Sequence, residues 1–133
     1  MEENNFEPLF RTSPFLETNG PFYQKKTTGE SLIVGLRVLQ KHLNGRGYAH
    51  AGILLTLADI AIGYQVAFSE NPPLNLVTLN LNNDFIKASK LGDWLEVHVE
   101  IHKKGRSIIN ASALVLKGKE KIMRSSAIYK VIH

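Results

Sequence analysis

Between Ile53 and Phe68 the chain carries one charged side chain, Asp59, inside a run that is otherwise almost wholly apolar. An unpaired buried carboxylate is costly, so such a residue has a hydrogen-bonded partner, a raised pKa or a pocket of its own. Directly before the run stand His50, Ala51 and Gly52, and Asn44 opens the glycine-spaced polar loop NGRGYAHAG that leads into them. If the run is a helix, His50, Ala51 and Gly52 sit at its N-terminus. There, free backbone N–H groups and the positive end of the dipole attract developing negative charge. A carboxylate strengthened as a base by apolar surroundings, on the same element as an oxyanion site, suits a reaction with an anionic intermediate. Each residue also has a plainer use: Asp59 can brace a loop, His50 can cap the helix, and Asn44-Gly45 can simply turn the chain.

These groups need elements to hold them. The stretch from Asn44 to Ser69 reads as a loop followed by a long buried helix, stopped by Pro72 and Pro73. Ahead of it, residues 8–17 are expected as a short helix, Asn19-Gly20-Pro21 as a turn, and residues 22–27 and 31–40 as two strands about a turn at Thr28-Gly29-Glu30. Behind it, residues 75–86 read as a strand with Leu76, Leu79 and Leu81 in the core. Residues 94–103 alternate strictly, with Leu95, Val97, Val99 and Ile101 on one face and Trp94, Glu96, His98, Glu100 and His102 on the other. Turns at residues 104–106 and 117–120 return the chain into strands over 107–116 and 121–132. The order is that of an α+β fold in which one curved antiparallel sheet wraps one long central helix. A helix apolar on every face predicts that tight curvature or a second subunit completes its enclosure.

At 133 residues the chain is expected to be one domain over 1–133, with residues 1–19 an extension or short helix. It has no cysteine, which removes disulfides, thiolate metal sites and cysteine nucleophiles together. The N-terminus MEENNFEPLF lacks the charge and apolar run of a signal peptide, and the helix is short of the ~20 residues a bilayer needs, so a cytoplasmic chain without membrane insertion is expected. Net charge is +4, which favours anionic partners, but the basic residues are dispersed and nucleic-acid binding is not expected. His98 and His102 are read as solvated residues of a strand face, and no metal site is expected. Ser125-Ser126 has no glycine elbow, so a serine triad is not supported.

Asn44, His50-Ala51-Gly52, Thr56-Leu57-Ala58-Asp59, Val77-Thr78-Leu79-Asn80-Leu81 and Leu91-Gly92-Asp93 together resemble the hotdog-fold acyl-CoA thioesterases of the phenylacetic-acid-pathway type. The resemblance covers roughly residues 30–131. It implies the hotdog fold and hydrolysis of an acyl-CoA to a carboxylic acid and coenzyme A, with no cofactor beyond the coenzyme A of the substrate. It implies that Asp59 attacks the thioester or activates water, that Ala51 gives its N–H to the thioester oxygen, that His50 and Asn44 shape the polar wall, and that Thr78 helps hold the water. Coenzyme A contacts are expected at Gly52, at Lys90 and along Lys103, Lys104, Gly105, Arg106 and Ser107. The family's site lies between two subunits, so a homodimer or a dimer of dimers is implied. Where the family has a glycine after the histidine, this chain has Ala51, which narrows the allowed backbone and motivates an alternative, a non-catalytic acyl-CoA-binding hotdog protein.

Overall fold

The computed structural model describes residues 5–29 and 31–133; Glu30, placed in a turn above, lies outside the described residues. In chain order the elements are β1 (Glu7–Pro8), α1 (Pro14–Asn19), β2 (Tyr23–Lys26), β3 (Leu32–Arg37), a single 3-10 turn (Gln40–His42), α2 (Ala51–Ala67), β4 (Asn75–Phe85), β5 (Trp94–Lys104), β6 (Ile108–Lys117) and β7 (Glu120–Ile132). The strands form one antiparallel sheet in the order β1-β2-β3-β5-β6-β7-β4, so β4, the strand after the long helix, is an open edge. The inner face of the sheet wraps α2, which buries Ile53, Leu54, Leu57, Ala58, Ile60, Ala61, Ile62 and Val66. Leu36, Leu95, Val97, Val115, Ile122 and Met123 meet them from the strands. Truncating any of the larger of these to alanine would cost about 2–5 kcal/mol. No helix is long and apolar enough to cross a membrane among the described residues.

The N-terminal segment differs from the expected helix over 8–17. Pro8 sits in a two-residue edge strand, where its missing N–H costs no ladder bond, and α1 starts only at Pro14, where proline suits a first helical position. Ser13 caps it by accepting the Leu16 N–H at 3.3 Å. The second expected strand ends at Arg37 rather than Gln40, because His42 Nδ1 accepts the Leu39 N–H at 2.9 Å and draws the chain into a 3-10 turn.

Two core expectations are corrected. Leu79 is 53% exposed: the β4–β7 register slips between Thr78 and Asn80, so Leu79 is the extra residue of a bulge. Before the bulge the inward positions are Leu76 and Thr78, opposite buried Val131 and Tyr129; after it they are Leu81, Asn83 and Phe85, opposite buried Ala127, Ser125 and Met123. Trp94, expected on the solvated face of β5, is 3% exposed, because Phe6 stacks edge-on at 5.0 Å and Tyr23 and Arg37 also cover it.

Candidate functional site

Asp59 lies on the side of α2 that faces the open edge. Its side chain lines a cleft of about 370 Å³ with Leu16, Gly63, Leu76, Thr78 and Tyr129. The bulge at Leu79 keeps Thr78 turned inward, toward the helix. Asp59 is exposed on its open side, and partial burial against these groups is enough to raise its pKa above the ordinary carboxylate value. Asp59 is therefore more basic than a solvated aspartate, and two of the expected catalytic residues, Asp59 and Thr78, share one cavity.

The loop before α2 is held from several sides. Asn44 Oδ1 accepts the N–H groups of Arg46 at 2.9 Å and Tyr48 at 3.1 Å. The Ala49 N–H donates to the Ser89 carbonyl at 2.8 Å, and His50 N–H to the His42 carbonyl at 2.8 Å. His42 is itself buried and fixed by Asn19, whose carbonyl lies 2.7 Å from Nε2. His50 is the N-cap of α2: its Nδ1 accepts the Gly52 N–H at 3.0 Å, and its carbonyl accepts those of Ile53 and Leu54. Of the first four N–H groups of the helix, that of Ala51 alone has no acceptor among the described residues. It opens on a second cleft, about 470 Å³, lined by Asn44, Arg46, Ala51, Leu54, Phe85, Ile86, Lys87 and Ser89. Ala51 has no positive φ, so replacing glycine by alanine strains nothing at this position.

Asn44 and Ala51 thus share one cleft and Asp59 and Thr78 another, while the His50 ring and Gly52 border a third of about 330 Å³ beside Phe15 and Thr56. Asp59 follows Ala51 by eight residues, a rise of about 12 Å along the helix. Lys90 is bridged to Tyr48, next to the Ala51 loop. The turn of residues 105–107 lies at the other end of α2, where Lys104 pairs with Glu70 and donates to Ser69 Oγ at 3.3 Å. Gly105 fits because a Cβ there would meet the Ile108 carbonyl oxygen at 2.6 Å. The Ser107 carbonyl is held by the Val131 N–H, and that of Arg106 lies 3.2 Å from His133 Nε2. Among the described residues no group of three His, Cys, Asp or Glu is placed to hold a metal ion.

A family model described as thioesterase superfamily matches residues 46–123, from the polar loop to the first third of β7. The chain belongs to the thioesterase superfamily. A provisionally named esterase of Pseudomonas aeruginosa is 43% identical over 93% of this chain and 92% of its own length. Among solved structures, a Bacillus halodurans protein crystallised with CoA superposes with a TM-score of 0.82 at 22% identity, over 92% of this chain and 82% of that one. The Escherichia coli PaaI protein of the phenylacetic acid degradation operon gives 0.72 at 21%, over 77% and 72%. The curved sheet around one main helix is the hotdog fold.

In this thioesterase-superfamily chain two kinds of site-lining residue escaped sequence reasoning, unpartnered hydroxyls and cations. Tyr129 and Ser89 are buried hydroxyls without a partner among the described residues, one in each cleft. A tyrosine in a strand and a serine in a turn carry no distinguishing signal. Arg46 and Lys87 supply cations to the Ala51 cleft, and only folding brings Lys87 there, beside its ion-pair partner Glu120.

Proposed function

We propose that the protein is an acyl-CoA thioesterase that hydrolyses its substrate to a carboxylic acid and coenzyme A with water as the only co-substrate. The observation that carries the reading is the pairing of a carboxylate of raised pKa with Thr78 in one cleft, while the unbonded Ala51 N–H waits at the helix start in another. Asp59 either takes a proton from the attacking water as that oxygen bonds the thioester carbon, or attacks the carbon itself to give an acyl anhydride that water then hydrolyses to the free acid and the aspartate. The carbonyl oxygen becomes an oxyanion bonded by the Ala51 N–H, the C–S bond breaks, and the thiolate of coenzyme A leaves and is protonated.

A single carbonyl cannot touch both groups of one chain across a rise of about 12 Å, since each must come within about 3 Å of the reacting atoms. The reading therefore requires two chains, Asp59 of one facing Ala51 of the other, in a homodimer or a dimer of dimers. Arg46 and Lys87 border the Ala51 cleft and suit the phosphates of coenzyme A. The residue 103–107 turn, about 25 Å from Ala51 along the same helix, reaches that ligand only from a neighbouring chain. The unstrained Ala51 removes the structural motive for a binding-only protein.

The test is thiol release from short, medium, long and aryl acyl-CoAs, wild type beside Asp59→Ala. Turnover by the wild type and a loss of at least about 100-fold in the folded variant are expected. No release from any of the four classes would overturn the assignment.

A further inference from the structure

We propose that the Tyr129 hydroxyl is the hydrogen-bond donor that fixes the Asp59 carboxylate in its cleft through one bridging water, making Tyr129 a positioning residue for hydrolysis. The inference rests on the reading of Asp59 given above.

Tyr129 is 2% exposed, and its hydroxyl oxygen is buried with no partner among the described residues. The ring rises from β7 directly opposite Thr78 on β4. Its oxygen ends at α2, where a Cβ built on Gly63, one helical turn beyond Asp59, would lie 3.8 Å from it. The hydroxyl is thus delivered to the helix surface beside Asp59, in the same cleft. A phenylalanine would fill the core equally well at this position. A buried hydroxyl is expected to bond to something, and the cleft contains the acceptor.

The titratable groups lining this cavity are Asp59 and Tyr64 from α2 and Tyr129 from β7. Ser13 and Leu16 at α1, and Leu74, Leu76 and Thr78 from the β4 side, bring no charge. Among the described residues Asp59 is thus the one charged acceptor lining the cavity with the phenol. Burial, and after it the negative charge of Asp59, push the Tyr129 pKa well above that of a free phenol, so the group stays protonated and remains a donor across the working range. A carboxylate on the open side of a helix swings between rotamers. A donor held on one of its oxygens leaves the other aimed at the substrate. The cavity of about 370 Å³ with Asp59, Thr78 and Tyr129 on its walls has room and polar partners for that water.

The experiment compares wild type with Tyr129→Phe in the full chain, by the pH dependence of kcat and by carbon-13 NMR titration of the Asp59 carboxyl. A donor favours the charged carboxylate, so its loss is expected to raise the Asp59 midpoint by about 0.5–1 unit and to move the acid limb of kcat upward with it. At neutral pH kcat falls roughly 10-fold with KM within about twofold, in a protein at least as resistant to heat as wild type. An Asp59 midpoint and acid limb that stay in place in a folded variant overturn the proposal and leave Tyr129 a core side chain. If Tyr129→Phe does not fold, a ring-fluorinated tyrosine at position 129 supplies the comparison with opposite sign: a stronger donor must lower the midpoint, and no movement overturns the proposal. A wild type that hydrolyses no acyl-CoA refutes the proposed function, while the NMR titration still decides whether Tyr129 and Asp59 are bonded.

Discussion

Ala51→Pro deletes one hydrogen atom from the proposed site and asks whether that atom matters. Ala51 is the first residue of α2, the one interior-compatible position where proline is favoured, since its ring fixes the helical φ and its missing N–H breaks no helical bond. The preceding residue, which proline restricts to extended backbone, already lies there: His50 has φ −65° and ψ 141°. The N–H to be removed has no acceptor among the described residues, so no internal hydrogen bond is lost. Folding stability should hold or rise by about 0.4–1 kcal/mol, because the unfolded chain loses freedom. Transition-state stabilisation should fall by about 2.7–4 kcal/mol, the loss of one oxyanion donor, seen as a drop of roughly 100- to 1,000-fold in kcat. Ala51→Val restores the N–H at similar bulk and controls for crowding in the cleft. Thiol release and thermal melting are measured on all three proteins. Turnover of Ala51→Pro within about threefold of wild type would place the oxyanion elsewhere and refute the reasoning.

Asp59→Asn should abolish turnover and raise the Tm. The folded pKa of Asp59 lies above its unfolded value, so its contribution to stability is fully present below the unfolded pKa and is lost as pH rises through the folded one. Melting from pH 3 to 8 should therefore show the variant gaining on wild type as pH rises, and a constant gap would contradict the raised pKa. Unfolding and refolding Asp59→Asn together with Ala51→Pro in equal amounts should restore about a quarter of wild-type activity, because half the dimers are mixed and each holds one intact site. Two sites each built within one chain would restore none. Gly35→Ala should cost about 1–3 kcal/mol of stability without touching kcat, since the new Cβ would lie 2.6 Å from Cη2 of Trp94, a ring locked by Phe6, Tyr23, Arg37 and a bond to Glu96. Denaturant unfolding measures it.

What could be read from the sequence was whatever depends on local periodicity. The central helix announced itself because 17 residues from Ala51 to Ala67 hold one charge, β5 followed from its period-two pattern, and β6 and β7 from the short turns that bound them. Asp59 stood out for the same reason, as a violation of its surroundings. The bulge at Leu79 could not be read: the expected core residues Leu76, Leu79 and Leu81 already break strict alternation, but which residue is the extra one exists only relative to a partner strand. Trp94 was misplaced because its cover comes from Phe6, which is remote in sequence. His42, which anchors the polar loop from a buried position, looks in the sequence like any surface histidine. The two clefts were invisible as well: spacing gives the distance along a helix, but not which strand residues close around each end.

That arrangement has a geometric consequence for assembly. Leu76 and Thr78 border the Asp59 cleft and Phe85 and Ile86 the Ala51 cleft, so the two incomplete halves lie toward opposite ends of one open edge strand. Val77, Leu79, Phe85 and Ile86 are about half exposed there, beside unpaired ladder groups that invite another strand. Antiparallel pairing of two β4 strands about a two-fold axis near Asn82 would set the Asp59 end of each strand against the Ala51 end of the other. Residues at such an axis face their own copies at a Cα separation of about 4.5–5.5 Å, inside the range a disulfide spans. The chain has no cysteine, so Asn82→Cys introduces the only thiol. Mild oxidation should convert it to a covalent dimer on a non-reducing gel, with hydrolysis retained, whereas Asn110→Cys, exposed on the interior strand β6, should stay monomeric under the same treatment. If neither Asn82→Cys nor Leu81→Cys is trapped at concentrations where the enzyme turns over, the two chains do not meet along β4, and the composite site has to be sought on another face.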